Sequence, residues 1–298
     1  MIPIMVTIKK ASALTGVSEH TLRAWERRYG LVTPSRTPSG YRTYDEGELD
    51  RIRLMHRLVE AGWAAGAAAA EVDRHIGPGL AEDPYSALIR AAGDLDGAAV
   101  GRVVDDRFAG TDFETLVDGW LMPALYHVGL AWESGAISVA GEHLVANVVT
   151  RRLAASYEAV GDGQAGPAVV IGAPPGVDHQ LGLMAFATAA RRVGLATLYL
   201  GAQVPLDAWR DAARRSSAWA AVTSVHRGRD AVRAAKVVTH LAEDPGIPVW
   251  AGGRFQDRLD GARPLGHSIG AAARELAAAR DSHRRPPGSV MAEEPSDG

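Results

Sequence analysis

Two sets of residues in this 298-residue chain have the types and spacing to do chemistry. His20, Thr21, Arg23, Arg27 and Arg28 fall within one short helical pattern, and Arg36, Tyr41 and Arg42 follow in a turn-rich stretch. Side chains three and four apart share a helix face, so His20, Arg23 and Arg27 form an outward stripe that a major groove could receive. Tyr41 and Arg42 suit backbone contacts that set register. The second set is His179, Gly182, Thr223, Ser224, Gly252 and Gly253, an imidazole, two hydroxyls and small residues that together could hold a ligand. A weaker constellation is Trp132 with Glu133, then Glu142 and His143, an aromatic at one helix end opposite an acid and an imidazole near the start of the next.

The elements that must position the basic set are short. Ile8, Ala11 and Leu14 recur at helical spacing, Thr15-Gly16-Val17 interrupts them, and Ser18 can N-cap a second helix reaching about Tyr29. Two helices joined by a glycine-containing turn make a helix-turn-helix. Leu22, Tyr29 and either Trp25 or Glu26 take the inner side of the second helix, with Trp25 suited equally to a core or to a phosphate contact. Residues 34–44 read as a turn-rich hairpin, a wing, and Asp45, Glu46 and Glu48 open a further helix. The first 44 residues hold seven Lys or Arg against two Glu, a net of +5, so that of the overall −3 the remainder carries −8. Such a split suggests a nucleic-acid-facing head on an acidic body.

The other two sets lie on a different architecture. Helical patterns over 84–92, 94–108, 112–133 and 138–160 with short connections predict a four-helix bundle. Apolar strands at 168–172, 196–200, 219–224 and 247–251 alternate with helices, which predicts an open parallel sheet with helices on both faces. Ligands of such sheets bind beyond the carboxyl ends of the strands, where His179, Ser224 and Gly252-Gly253 are expected. Glycine- and proline-rich breaks at 77–79 and 161–167 divide the chain into 1–76, 80–162 and 166–280, and the weakly apolar stretch 281–298 is expected to be a disordered tail.

Composition excludes several classes. Hydrophobic residues make up 47% and charged residues 22%, near soluble averages, and no apolar run spans a membrane. Residues 1–10 carry no secretory pattern, so a cytoplasmic protein without a membrane partner is expected. The absence of cysteine rules out disulfides, iron–sulfur clusters and thiolate metal sensors.

Arg23, Trp25, Glu26, Gly30, Leu31, Arg36, Gly40, Tyr41, Arg42 and Tyr44 stand in the pattern of the MerR DNA-binding domain, which this head resembles. Trp132 and Glu142-His143 resemble the helical-cap signature of the CarH/LitR family. His179-x-x-Gly182, Ser224 after 41 intervening residues and Gly252-Gly253 25 residues beyond His226 resemble the cobalamin signature of methionine synthase and the mutases. The resemblance implies a winged helix-turn-helix, a four-helix-bundle cap and a flavodoxin-like, doubly wound domain that binds adenosylcobalamin or another cobalamin. It implies His179 as the axial cobalt ligand, Ser224 holding the nucleotide tail, and Gly182, Gly252 and Gly253 admitting that tail. The adenosyl group would lie against Trp132 near Glu142 and His143.

The implied function is that of a light-sensing regulator, a dark-state repressor on double-stranded operator DNA released when light cleaves the cobalt–carbon bond. No enzymatic turnover is implied. With no long coiled coil after residue 60, dimers or tetramers are expected to form through the sensory domains. Three positions depart from the pattern. Val177 stands where the family has a carboxylate, with Asp178 adjacent, so carboxylate support of His179 and cobalamin affinity are expected to be weaker. Glu133 stands where CarH-type receptors have a second cobalt-ligating histidine, a place His143 or His127 could take, and His226 replaces a leucine. Two other readings remain: a MerR-type regulator that does not use light, and a corrinoid carrier of a methyltransferase system.

Overall fold

The computed structural model describes residues 5–36, 41–60, 62–75, 84–161 and 166–284. The chain forms two compact units, Met1–Ala91 and Ala92–Gly298.

The first unit contains β1 (Val6–Thr7), α1 (Ile8–Thr15), α2 (Glu19–Tyr29), β2 (Ser35–Arg36), β3 (Arg42–Tyr44), α3 (Glu46–Glu60) and α4 (Ala65–His75). Local chemistry sets its boundaries. Gly16, at φ +74°, ends α1 in the left-handed conformation that glycine adopts without a Cβ clash. The Ser18 hydroxyl accepts the Thr21 N–H at 3.1 Å and starts α2. Asp45 and Glu48 cap α3 reciprocally, each carboxylate accepting the other's N–H, at 2.8 and 3.0 Å. β3 pairs antiparallel with β2 and with β1, a strand that periodicity could not reveal in two residues. The tip of the hairpin, 37–40, and the expected break at 77–79 lie outside the described residues. Leu22, Trp25, Leu31, Tyr44, Ile52, Met55 and Leu58 form the buried interior. Helix α5 (Ser86–Gly93) crosses the division between the units.

The second unit opens with α6 (Gly97–Gly110), α7 (Phe113–Leu116), α8 (Met122–Glu133) and α9 (Val139–Ala159). The helix expected over 112–133 is interrupted by a π-helical turn, Val117–Leu121, closed by the Met122 N–H donating to the Val117 carbonyl. The next residue, Pro123, has no N–H to restore the α-helical ladder at once. After α9 come β4 (Val169–Gly172), α10 (Leu181–Arg192), β5 (Thr197–Gly201), α11 (Leu206–Arg215), β6 (Ala220–Ser224), α12 (Ala231–Glu243), β7 (Val249–Gly252), β8 (Ala262–Pro264) and α13 (Ile269–Arg284). The sheet is wholly parallel in the order β5-β4-β6-β7-β8, the flavodoxin-like order. The edge strand β8 escaped the sequence reading because Ala-Arg-Pro presents no apolar run. Helix α13 runs to Arg284, so the expected tail from 281 begins as helix, and 285–298 lie outside the described residues.

The helices and the sheet of this unit are fastened together. Asp118, in the π-helical turn, accepts hydrogen bonds from Ser268 Oγ at 2.8 Å and from the N–H groups of Ile269 at 2.7 Å and Gly270 at 3.0 Å. A carboxylate there satisfies the free donors at the start of α13 and opposes its dipole. Arg192 on α10 pairs with Glu114 at 2.7 Å.

Candidate functional site

The sheet reverses its winding between β4 and β6, which are direct neighbours. Loops leaving the carboxyl ends of such a pair diverge and form a crevice, the usual ligand site of this fold. The loop after β4 carries His179 and is tied down at both ends. Val204 N–H donates to the Ala173 carbonyl at 3.0 Å, and Gln203 N–H to the Val177 carbonyl at 3.0 Å. Val177 is buried, and the Asp178 carboxylate accepts a hydrogen bond from the Gln203 side-chain amide. Neither residue reaches the imidazole, because neighbouring side chains point apart and Gln203 holds the Asp178 carboxylate. Among the described residues the half-buried His179 has no hydrogen-bond partner.

What does touch His179 is His226. The two rings stack with centroids 4.5 Å apart and planes inclined by 22°. Sequence reading found no role for His226, although its place two residues after Ser224 was visible; its contact with a residue on a different loop was not. Loss of water lowers the pKa of His179, aided by Arg227 and opposed by Asp230 and Asp178. His226 is lowered to about 4 by desolvation first, then by His179 and Arg227. His226 is nonetheless an exposed residue. Both imidazoles are therefore neutral at neutral pH, the form that donates a lone pair to a metal.

The β6 and β7 exits complete the edge. Ser224 pairs in register with Gly252, and Thr223 with Ala251. The Thr223 hydroxyl is fully buried and has no hydrogen-bond partner among the described residues. Gly252 faces open space where a Cβ would stand. Gly253 has a different reason from the one its motif suggested. It lies at φ +93°, and a Cβ on it would fall 2.7 Å from the Val225 carbonyl oxygen, so the chain's own backbone demands glycine there. A Cβ on Gly182 would meet nothing nearer than Met122 Sδ at 4.0 Å, an ordinary contact. Among the described residues, a neutral imidazole without a hydrogen-bond partner, an unsatisfied buried hydroxyl and open space at Gly252 fit a cobalamin, which needs a nitrogen donor for cobalt and room for a polar tail.

Trp132 stands at the end of α8 with 42% of its surface exposed, unusual for so large an apolar side chain. Glu133 beside it is exposed. Ser138 caps α9 by accepting the Gly141 N–H at 3.2 Å, and the next turn presents Glu142 and His143, paired at 2.6 Å. Glycine is needed at 141, where a Cβ would lie 2.5 Å from the Ala92 carbonyl oxygen. Of the two histidines that could take the place of the missing ligand, His127 is 5% exposed, inside the bundle, and His143 is exposed.

In the first unit, Arg23, Arg27, Arg28 and His20 are exposed on α2 and Thr21 is half-buried beside the cap. Among the described residues Arg23 makes only an exposed pair with Glu19 at 3.4 Å, which costs little to release. Trp25 is corrected: at 7% exposed it is core and not a phosphate contact. Helical spacing sets Trp25 one turn after Leu22 but leaves it at the margin of the inner face; the packing of α2 on the interior turns it inward. Arg42 is also more than a wing cation, since its Nε bonds the Glu26 carboxylate at 3.0 Å and ties β3 to α2. Tyr41 is 69% exposed. Arg36 lies in β2, paired in register with Arg42.

Residues 6–71 match the model of the MerR HTH family regulatory proteins, and residues 85–156 match that of the B12 binding domain. The chain is 34% identical over 212 residues to the HTH-type transcriptional repressor CarA of Myxococcus xanthus, covering 69% of this chain and 71% of that one. It is 32% identical over 264 residues to the repressor CarH of the same organism, covering 83% and 88%. In fold it is similar to the monomethylamine corrinoid protein of Methanosarcina barkeri, with a TM-score of 0.53 and 13% identity over 66% of this chain and 99% of that one. A MerR-type head followed by a B12 binding domain, with this extent of identity to two repressors, means that the chain belongs to the CarH/LitR family of MerR-type transcriptional regulators.

Proposed function

We propose that this regulator is an adenosylcobalamin-dependent, light-responsive repressor that binds operator DNA as a homo-oligomer in the dark. Residues 1–76 would serve as the head, 80–162 as the cap and 166–280 as the cobalamin domain. The observation that carries the reading is His179: a half-buried, neutral imidazole without a hydrogen-bond partner among the described residues, at the winding reversal of a flavodoxin-like sheet.

His179 would hold the cobalt through a neutral imidazole nitrogen. Thr223 and Ser224 would donate hydroxyl hydrogen bonds to the displaced nucleotide tail, and Gly252 would leave room for it. Trp132, with its exposed face, would lie against the upper group and exclude water there, while Glu142 and His143 would offer it polar contacts. When bound, adenosylcobalamin would supply a cobalt–carbon bond that visible light cleaves. Reversing a 99:1 preference between two states takes roughly 5.5 kcal/mol of differential binding, within reach of an aromatic and its surroundings gaining or losing cover. On α2, Arg23, Arg27 and Arg28 would meet bases and phosphates, with His20 and Thr21 at the entering end and Arg36, Tyr41 and Arg42 on the wing.

Among the described residues no helix is long and apolar enough to cross a membrane. That is compatible with a cytoplasmic regulator. A second reading, a regulator of this family that does not use light, is favoured by the Asp178–Gln203 hydrogen bond and by Glu133 in place of a histidine. Size-exclusion chromatography of the protein with adenosylcobalamin, in darkness and after green illumination, separates the two. A large corrin-bearing species that shrinks in light is the expected result. Corrin retained in a species unchanged by light would leave the second reading, and corrin eluting apart in both runs would overturn the cobalamin site.

A further inference from the structure

We infer that His226 is the positioning residue of the ligand imidazole, orienting His179 by stacking in place of the usual carboxylate hydrogen bond. This rests on the cobalamin reading of the site. A ligating histidine is ordinarily held by a second group that bonds its other ring nitrogen. Here Val177 is buried, Asp178 is held by Gln203, and His179 has no hydrogen-bond partner among the described residues. Its ring plane would be loose but for the His226 ring, 4.5 Å away and inclined by 22°.

The stack is built into the fold. His226 lies two residues past the end of β6, and His179 seven past the end of the neighbouring β4 and two before α10 begins. The His226 side is rigid. Its neighbour Val225 donates its N–H to the Gly252 carbonyl at 2.9 Å and accepts the Phe255 N–H at 2.9 Å, and Gly253 is packed against the same peptide. The His179 side is held by Ala173–Val204 and Val177–Gln203 backbone bonds. Two independently anchored loops thus set one ring against the other.

Stacking also suits the task better than a second ligand would. It uses the ring faces and leaves the in-plane nitrogens of His179 free, whereas metal ligation uses an in-plane lone pair. The two ring planes are inclined by 22° with centroids 4.5 Å apart, so the in-plane lone pairs of the two imidazoles lie in separate, stacked planes and do not converge on one metal ion. Aromatic stacking is worth a modest amount, and loss of the partner ring should reduce histidine-bound corrin about two- to tenfold.

The test uses the full chain labelled with nitrogen-15 histidine and loaded with cob(II)alamin, read by electron paramagnetic resonance. A protein imidazole gives a doublet on the cobalt lines, and the cobalamin's own base gives a triplet. Wild type and H226F should give the doublet, while H226A and H226L should show a larger fraction of triplet or uncoupled signal and weaker corrin binding. In the cobalamin-free protein, the ring protons of His179 should be shifted upfield in wild type and H226F and not in H226A. Variants indistinguishable from wild type would overturn the inference, as would H226F behaving like H226A, since a ring face would then not be what matters. A doublet retained in H179A would make His226 the ligand itself and overturn it too. Wild type taking up no corrin would instead overturn the cobalamin reading, and the inference with it; the His179 proton shifts would then report the stack alone.

Discussion

The basic head and the carboxyl edge of the sheet are assembled by opposite means. On the head, the exposed groups of α2 come from a single run of consecutive residues, held by a serine cap at one end and a left-handed glycine at the other. At the sheet edge, His179, Thr223, Ser224, His226 and Gly253 arrive from the ends of three strands and the loops that follow them, brought together by parallel pairing of β4, β6 and β7. Local caps tolerate the loss of one outward side chain, because the helix does not depend on it. A crevice made by loops from distant segments depends on each loop's anchor, so small changes there should propagate into binding.

The sharpest way to break the contrast is to attack each region's interior. Trp25→Ala should destabilise the head by roughly 3–5 kcal/mol, the range for removing a buried aromatic. Urea unfolding should show it, and corrin uptake by the second unit should persist. At the sheet edge, His179→Ala should weaken cobalamin binding by about 100-fold or more, at or beyond the range for disturbing a group behind a metal ligand. Titration followed by corrin absorbance checks it, and DNA affinity of the cobalamin-free protein should not move.

Gly253→Ala tests the anchoring of the loops. With φ at +93° and the Val225 oxygen 2.7 Å from the new Cβ, it should cost about 1–3 kcal/mol from backbone strain, with corrin affinity falling too. The corresponding change on the head, Arg27→Ala, should leave folding intact. It should lower the slope of log affinity against log salt by about 1, the signature of one lost phosphate contact.

The smallest effect concerns pH. His226 is near 6.5 when unfolded and about 4 when folded. Between those values the unfolded chain binds more protons, so stability is full above about pH 6.5 and declines as pH falls towards 4. The His226→Phe protein should lose less stability over that window, read as urea midpoints at successive pH values.

Much of this architecture was legible without coordinates. The Ser18 cap, the break at Gly16, the acidic start of α3 and four of the five parallel strands follow from residue types and near neighbours. These features depend on hydrogen bonds and steric limits within a few residues, which sequence states directly. The motif around His179 was legible as spacing, and so was the absence of a carboxylate at Val177. β1 and β8 were not, because two or three residues carry no periodicity. The π-helical turn at 117–121 was not either, since Asp118 gives no local sign that it caps a helix 150 residues away.

The sequence by itself determined which groups were available: a basic stripe, a lone histidine ahead of a glycine, a second histidine after Ser224, and no cysteine. Only the tertiary structure decided what those groups do. Packing turned Trp25 inward and His127 into the bundle, Gln203 took Asp178, and the adjacency of β4 and β6 set His226 on the face of His179. The reason is that a side chain's partner depends on which strands are neighbours, and strand order is a property of the whole sheet, written in no single segment.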